Sequence, residues 1–181
     1  SLEIIEEDLG IELRMRLVEP HGSVYGERRR HLAGPTGCGL CGIESLEEAM
    51  RAPQRVKSRT SFHPEEIMQA VAALAPAQVL NVETRAVHAA AFWSPMHGLV
   101  ALREDVGRHS ALDKLAGALA RRNIAVADGF VLSTSRVSVE MIQKAAAIGV
   151  PLAVAVSAPT ALAIRMAEAT GITLIAVARD D

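Results

Sequence analysis

The sequence predicts an α/β fold, in which helices lie on both faces of a layered, mostly parallel sheet. Short continuous apolar runs alternate with longer amphipathic stretches through the second half of the chain. Continuous apolar runs are typical of strands buried on both faces, and their alternation with helices is typical of a parallel sheet. Half of the 181 residues are hydrophobic, which is sufficient for one buried core.

The chain divides into an N-terminal segment, residues 1–60, and an α/β core, residues 61–181. Residues 9–18 alternate loosely as a strand. Residues 34–42 contain four glycines and a proline, which exclude a helix or an inner strand and predict a loop. Residues 45–50 open with a capping box, so we expect one or two helical turns there.

The core begins with a predicted helix over residues 64–75, because Pro64 suits the first turn of a helix and Pro76 should end it. A short apolar run predicts a strand over residues 79–82. The alanine-rich stretch that follows predicts a helix over residues 85–92.

Three strand–helix units and a last strand complete the predicted core after a turn at residues 94–98. The strands are predicted at residues 99–102, 129–132, 151–156 and 172–178, and the helices at residues 110–122, 137–148 and 160–170. Gly149 and Gly171 stand where C-cap glycines end helices.

Charge and hydropathy exclude several classes of protein. The chain has 19 Lys+Arg against 21 Asp+Glu, a net charge of -2, which argues against a basic nucleic-acid clamp and against an acidic tail. No run approaches the roughly 18 apolar residues of a membrane span. The acidic N-terminus does not resemble a signal or transit peptide. We therefore expect a cytoplasmic protein without nucleic-acid or membrane partners.

Polar segments follow the strands of the three units and the last strand. Because ligands of parallel sheets bind at the carboxyl ends of strands, where helices begin, we expect these segments to converge on one binding edge. Hydroxyls, arginines and helix-terminal N–H groups are typical of an anion or nucleotide-phosphate cradle. The candidate residues are Arg103, Asp105, Arg108, His109, Ser135, Arg136, Ser157, Arg179, Asp180 and Asp181.

Structural roles remain open for some of these residues. Ser157 or Thr160 would cap a helix in any protein. An ion pair between Asp105 and Arg108 would fix the first polar loop without binding a ligand. His88 stands next to small residues, where a lone histidine is more often packed or capping than a ligand.

The two cysteines, Cys38 and Cys41, form a C-x-x-C within the glycine-rich loop, and three interpretations compete. A zinc site would need two further ligands, for which His31 is the nearest candidate. A redox pair would normally sit at a helix N-terminus after a strand. A mobile loop that carries a nucleophilic thiolate fits the glycine content best, and a structural disulfide is not expected in the reducing cytosol.

The deaminase signature of zinc enzymes is absent. That signature is H-x-E followed by P-C-x-x-C, with the glutamate acting as general acid and base. Here Ala90 stands where the glutamate would follow His88, and both cysteines precede the histidine. Deaminase chemistry is therefore excluded.

Five sequence blocks together resemble the formate dehydrogenase accessory sulfurtransferases, the FdhD/NarQ family. The T-G-C-G-L-C-G and R-E-D-V-G-R-H blocks are the most specific, and the set runs in order along the whole chain. The blocks are residues 36–42, 87–91, 103–114, 135–140 and 156–159.

The resemblance implies a cytidine-deaminase-like α/β fold without the deaminase zinc site. It implies a sulfurtransferase that accepts persulfide sulfur from a cysteine desulfurase, with Cys38 as the expected carrier and Cys41 assisting. The acceptor would be the molybdenum bis-molybdopterin guanine dinucleotide cofactor of formate dehydrogenase, for which GDP is the expected mimic. The family pattern extends the binding set to the tail after the last strand, Val177, Ala178, Arg179, Asp180 and Asp181.

The resemblance further implies a homodimer that interacts with a cysteine desulfurase and with the formate dehydrogenase apoenzyme. Family members carry additional strands before Ser1 and a tail after Asp181, so we expect this chain to be a fragment. Two other functions stay open, namely a non-catalytic molybdenum-cofactor chaperone and a zinc or redox module built on the C-x-x-C.

Overall fold

The computed structural model describes residues 1–7, 10–23, 53, 55–58 and 60–179. Strand β1 (Leu2–Glu7) pairs with β2 (Gly10–Met15) in an antiparallel hairpin. The strand predicted at residues 9–18 is therefore present as β2, but it ends at Met15. Its partner strand β1 was not predicted from the sequence. The predictions for residues 34–42 and 45–50 lie outside the described residues.

A five-stranded sheet forms the centre of the core, in the order β4-β3-β5-β6-β7. Strand β3 runs antiparallel to both of its neighbours, whereas β5, β6 and β7 are parallel. Four of the five strands therefore point the same way and end at one edge, which confirms the mostly parallel sheet. The strands are β3 (His88–Ser94), β4 (Gly98–Asp105), β5 (Phe130–Ser133), β6 (Leu152–Ala155) and β7 (Thr173–Ile175).

Helices cover both faces of this sheet, as predicted. Helix α1 (Pro64–Ala77) packs on one face, and helix α2 (Val79–Thr84) follows it. Helices α3 (Arg108–Arg121), α4 (Val139–Ile148) and α5 (Ala161–Thr170) pack on the opposite face. Alternate strand residues supply the two cores, because successive side chains of a strand point to opposite faces. Phe130 and Leu132 face α1, and Val131 faces the other three helices.

The stretch between α1 and β4 differs from its prediction. Pro76 lies inside α1, which ends one residue later at Ala77; the proline removes only its own N–H hydrogen bond, and the helix ends directly after it. Residues 79–82 belong to helix α2, not to a strand, and residues 88–94 form strand β3, not a helix. Strand β3 lies between β4 and β5, so burial on both faces overrides the helix propensity of its alanines.

The other predicted elements are present with shifted ends. The turn at residues 94–98 closes the β3–β4 hairpin, where Ser94 pairs with Gly98. Gly149 and Gly171 adopt φ angles of 95° and 73° as the C-caps of α4 and α5, as predicted. The last strand is shorter than expected, since β7 covers Thr173–Ile175 alone. Among the described helices, none has both the length and the apolar character needed to cross a membrane.

Candidate functional site

Main-chain hydrogen bonds join the polar segments at the carboxyl edge of the sheet. The Thr134 amide donates to the Ala89 oxygen at 3.1 Å, which ties the segment after β5 to the start of β3. The Val137 amide donates to the Ala158 oxygen at 3.2 Å, which joins the segments after β5 and β6. His88 pairs in register with Asp105, so the loop after β4 borders the same edge. The predicted convergence of these segments is therefore confirmed.

The tail after β7 returns to this edge. The Val177 amide donates to the Ser157 oxygen at 3.3 Å, and the Ala178 amide donates to the Ala155 oxygen at 3.0 Å. Val177 has a φ of 56°, which redirects the chain, and Ala178 is buried. Arg179 follows at the surface, whereas Asp180 and Asp181 lie outside the described residues.

Asp105 fixes the loop after β4. Its Oδ1 accepts the Gly107 amide at 2.8 Å, and its Oδ2 lies 2.5 Å from Lys114 Nζ. The hydrogen bond from Lys114 is the main reason that the pKa of Asp105 is lowered, and the Gly107 amide adds to the effect. The suggested ion pair between Asp105 and Arg108 is therefore wrong. The ion-pair partner of Asp105 is Lys114, which lies further along α3.

Glu104 has a structural role within the same block. It is buried, and its two carboxylate oxygens accept the amides of Leu80 and Asn81, each at 2.9 Å. These amides belong to the first turn of α2, whose N–H groups have no partner within the helix. The buried carboxylate therefore caps α2 from a neighbouring strand.

Arg103 is an exposed residue of strand β4. Its Nη1 donates to the Leu102 oxygen at 2.7 Å, and its exposed side chain lines a groove of about 690 Å³ together with Lys114, Arg121 and Arg122. This groove runs beside β4, the outer strand of the sheet among the described residues. Arg103 thus belongs to strand β4 rather than to the loop that follows it.

Arg108 and His109 occupy the first turn of α3, which starts after the N-cap Gly107. His109 is 5% exposed, and neither ring nitrogen has a hydrogen-bond partner within the part of the chain that the structure describes. Burial lowers the pKa of His109, and the positive charges of Arg108 and Lys144 lower it further. His109 is therefore a neutral imidazole with an unused donor and an unused acceptor.

Two hydroxyl groups at this edge form hydrogen bonds within the fold, those of Ser135 and Thr160. Ser135 is buried, its Oγ donating to the Arg136 oxygen at 3.1 Å and lying 2.9 Å from Ser133 Oγ, so it supports the loop from inside. Thr160 Oγ1 accepts the Ala163 amide at 3.1 Å, which confirms the capping interpretation for this residue. Ser157 is half-buried at the edge, where its main-chain oxygen holds the tail. Arg136 is exposed beside the start of α4.

Two side chains at the start of α4 escaped the sequence predictions. Ser138 Oγ and Glu140 Oε2 are buried atoms without a hydrogen-bond partner among the described residues. Both belong to the fourth block that resembles the family, residues 135–140, and this resemblance was the signal in the sequence that could have pointed to them. His88, interpreted as packed or capping within a helix, instead opens strand β3 at the same edge and is half-buried.

The two cysteines lie outside the described residues, as does His31, the nearest candidate for a further zinc ligand. Within the described ranges, no group of three or more His, Cys, Asp or Glu side chains could hold a metal ion. The described edge combines exposed guanidinium groups, helix starts, a neutral imidazole and a carboxylate. Such a set can bind a ligand that has an anionic part and a polar, hydrogen-bonding part.

Comparison with known proteins agrees with the fold and the motifs. The sequence model of the FdhD/NarQ family matches residues 1–181. The sulfur carrier protein FdhD of Agrobacterium fabrum is 51% identical over 182 residues, covering 100% of this chain and 67% of the relative. The protein of the same name from Cupriavidus necator is 51% identical over 180 residues, covering 99% of this chain and 62% of the relative.

A solved structure supports the fold. The crystal structure of a putative formate dehydrogenase accessory protein from Desulfotalea psychrophila superposes with a TM-score of 0.65 at 20% identity, covering 99% of this chain and 92% of that one. Because the family match spans the whole chain and the relatives share about half of its residues, the chain belongs to the FdhD/NarQ family.

Proposed function

We propose that this protein is a sulfur carrier in formate dehydrogenase maturation and acts as a sulfurtransferase. It accepts persulfide sulfur from a cysteine desulfurase and passes it to the molybdenum bis-molybdopterin guanine dinucleotide cofactor. The names of its relatives support the carrier role, and family membership supports the link to formate dehydrogenase. In this proposal the protein is a homodimer that binds the desulfurase first and the formate dehydrogenase apoenzyme afterwards.

One observation carries the cofactor side of the proposal: polar segments from four parts of the chain are joined into one edge that leaves polar groups unused. Arg136 is exposed, and Arg108 Nε and both nitrogens of His109 lack partners among the described residues. A buried polar group without a partner costs about 1–3 kcal/mol, so a ligand that satisfies several of them binds more tightly. A nucleotide end of the cofactor offers the required phosphates and hydrogen-bonding base.

The sulfur step follows thiol chemistry at Cys38 and Cys41. The Cys38 thiolate attacks the terminal sulfur of the donor persulfide, forms the new S–S bond and releases the donor cysteine as a thiolate. Cys41 then attacks Cys38 Sγ, which releases hydrosulfide and leaves a disulfide between the two cysteines. A dithiol reductant would restore both thiols.

Mass spectrometry of the intact protein tests the sulfur step. After incubation with a cysteine desulfurase and cysteine, the mass should rise by one or more sulfur atoms, and Cys38→Ala should abolish the gain. No gain in the unmodified protein, with nucleotide binding intact, would point to a cofactor chaperone instead. Zinc bound stoichiometrically to the purified protein would point to the zinc module.

Calorimetric titration with GDP tests the cofactor side. Arg136→Ala should weaken GDP binding by about ten- to a hundredfold, because one charge-assisted hydrogen bond is lost. The double Cys38→Ala, Cys41→Ala variant should bind GDP as the unmodified protein does. Unchanged affinity in Arg136→Ala, or lost affinity in the cysteine variant, would show that the nucleotide binds elsewhere.

A further inference from the structure

The groove beside β4 is strongly basic. It measures about 690 Å³, and its exposed charged side chains are those of Arg103, Lys114, Arg121 and Arg122. The one acidic residue in its lining, Glu104, is buried and already accepts two main-chain amides. The groove therefore presents an excess of positive charge to solvent.

Main-chain oxygens of β4 hold two of these arginines in place. Arg122 Nη1 donates to the Val100 oxygen at 3.1 Å, and Arg103 Nη1 donates to the Leu102 oxygen at 2.7 Å. Among the described residues, β4 is the outer strand of the sheet, and cations on an outer strand discourage its pairing with another strand. A side chain that is already held also loses less conformational entropy when it binds a ligand. The arginines are therefore positioned in advance, and an added strand is not the occupant that they favour.

The guanidinium groups of this groove keep most of their donors. A guanidinium has five N–H donors, and the strand accepts from one donor of Arg103 and one of Arg122. Within the part of the chain that the structure describes, neither these two arginines nor Arg121 forms an ion pair, whereas Lys114 pairs with Asp105. Three guanidinium groups thus remain for a ligand that carries negative charge and hydrogen-bond acceptors, as a carboxylate does.

Apolar and small side chains border the positive charge. Leu80 of α2 lines the groove and is exposed, and Val79 and Val82 of the same helix are also exposed. Gly117 and Ala118 of α3 line the groove as well, which leaves room for the side chains of a ligand. Nucleic acids without a fixed sequence are usually bound by stacking on aromatic side chains, and none of the described aromatic residues lines this groove. The combination favours a peptide that carries both acidic and apolar side chains.

We propose that the groove beside β4 is the docking site for an acidic segment of a partner protein. Carboxylates of the segment accept from the guanidinium groups of Arg103, Arg121 and Arg122, and its apolar side chains pack on Leu80. This inference goes beyond the proposed function, because it depends on neither the cysteines nor the nucleotide.

Fluorescence anisotropy with a short labelled peptide of glutamates and leucines tests the docking site. The control peptide has glutamines in place of the glutamates. The glutamate peptide should bind at least about tenfold more tightly than the control, and its affinity should fall as salt is added, because both partners are exposed to solvent. The inference would be overturned if the glutamate peptide showed no saturable binding, or if both peptides bound equally well.

Arg121→Glu tests the groove itself, with the exposed Arg165→Glu on α5 as the matched control. Arg121 has no hydrogen bond to the rest of the described chain, so this variant should keep the melting temperature of the unmodified protein to within a few degrees. Its affinity for the glutamate peptide should fall about tenfold, because one attraction is replaced by repulsion, whereas Arg165→Glu should bind the peptide normally. Unchanged affinity in Arg121→Glu, or an equal loss in both variants, would refute the assignment.

Two competitors separate this site from other anion sites. Saturating GDP should leave the affinity for the glutamate peptide unchanged. Displacement of the peptide by GDP would place it at the carboxyl edge of the sheet and overturn the inference, while failure of GDP itself to bind would count against the proposed function alone. A single-stranded RNA that binds more tightly than the peptide, and loses affinity in Arg121→Glu, would make the groove a nucleic-acid site and overturn the peptide assignment.

Discussion

Glu104 should contribute to stability and not to ligand binding, although it stands within the block that most resembles the family motif. Its carboxylate is buried and accepts two main-chain amides at the start of α2, from Leu80 and Asn81, each at 2.9 Å. Glu104→Gln keeps the shape of the side chain but leaves one acceptor oxygen and no charge. One of the two amides then faces an NH₂ group and loses its partner.

A hydrogen bond to a charged group contributes about 1.5–3 kcal/mol, so Glu104→Gln should lower the free energy of unfolding by about that amount. For a chain of this length, the melting temperature should fall by about 3–12 °C. Thermal unfolding followed by circular dichroism measures the change. GDP affinity, measured well below the melting temperature, should remain that of the unmodified protein.

Glu168→Gln serves as the control, because Glu168 is exposed on α5 and its substitution should change stability by about 0.5 kcal/mol at most. Two results would refute the reasoning. The first is a melting temperature of Glu104→Gln equal to that of the control. The second is a loss of GDP binding in a variant that is still folded.

Three further predictions concern other positions. Because the pKa of His109 is lowered, the folded state binds a proton there less readily than the unfolded state, so the free energy of unfolding should decrease as the pH falls from about 6.5 towards the lowered pKa. In melting experiments at several pH values, His109→Gln should make this decrease smaller. A Cβ on Gly129 would lie 2.3 Å from Phe92 Cζ, so Gly129→Ala should destabilise the protein by about 3 kcal/mol or leave little soluble protein. Gly117 lies on α3 with open space around it, so Gly117→Ala should stabilise the protein by about 0.5–1 kcal/mol in urea titrations. Thr160→Ala should cost about 0.5–2 kcal/mol through its lost cap, and an unchanged urea midpoint would contradict this.

The strand–helix units after residue 98 could be predicted because each carries a local signal. Their strands are short apolar runs, their helices have an apolar face, and two of the three helices, α4 and α5, end in a C-cap glycine, Gly149 and Gly171. These signals depend on neighbours in sequence, so tertiary contacts shift the ends by a few residues and leave the order unchanged. The polar segments at the strand ends follow from the same order.

The stretch from Val79 to Ser94 could not be predicted in this way. An alanine-rich sequence favours a helix when considered alone, but Ala89, Ala90 and Ala91 are buried between two helical layers and paired with strands on both sides. The first turn of α2 receives its cap from Glu104, more than twenty residues away in the chain. The strand at residues 88–94 and the helix at residues 79–84 both depend on contacts between distant parts of the chain, which local propensity does not describe.

By itself, the sequence determined the α/β class, the order of the later units and the polar character of one sheet edge, since strand direction and helix starts follow from local patterns. The tertiary structure alone decided which polar atoms at that edge are already used. It places Ser135 and Glu104 in internal hydrogen bonds and leaves His109 and Glu140 with buried atoms that have no partner in the described part of the chain. Hydrogen-bond partners come from segments distant in the chain, so only the folded arrangement separates the residues that hold the edge from those that can bind.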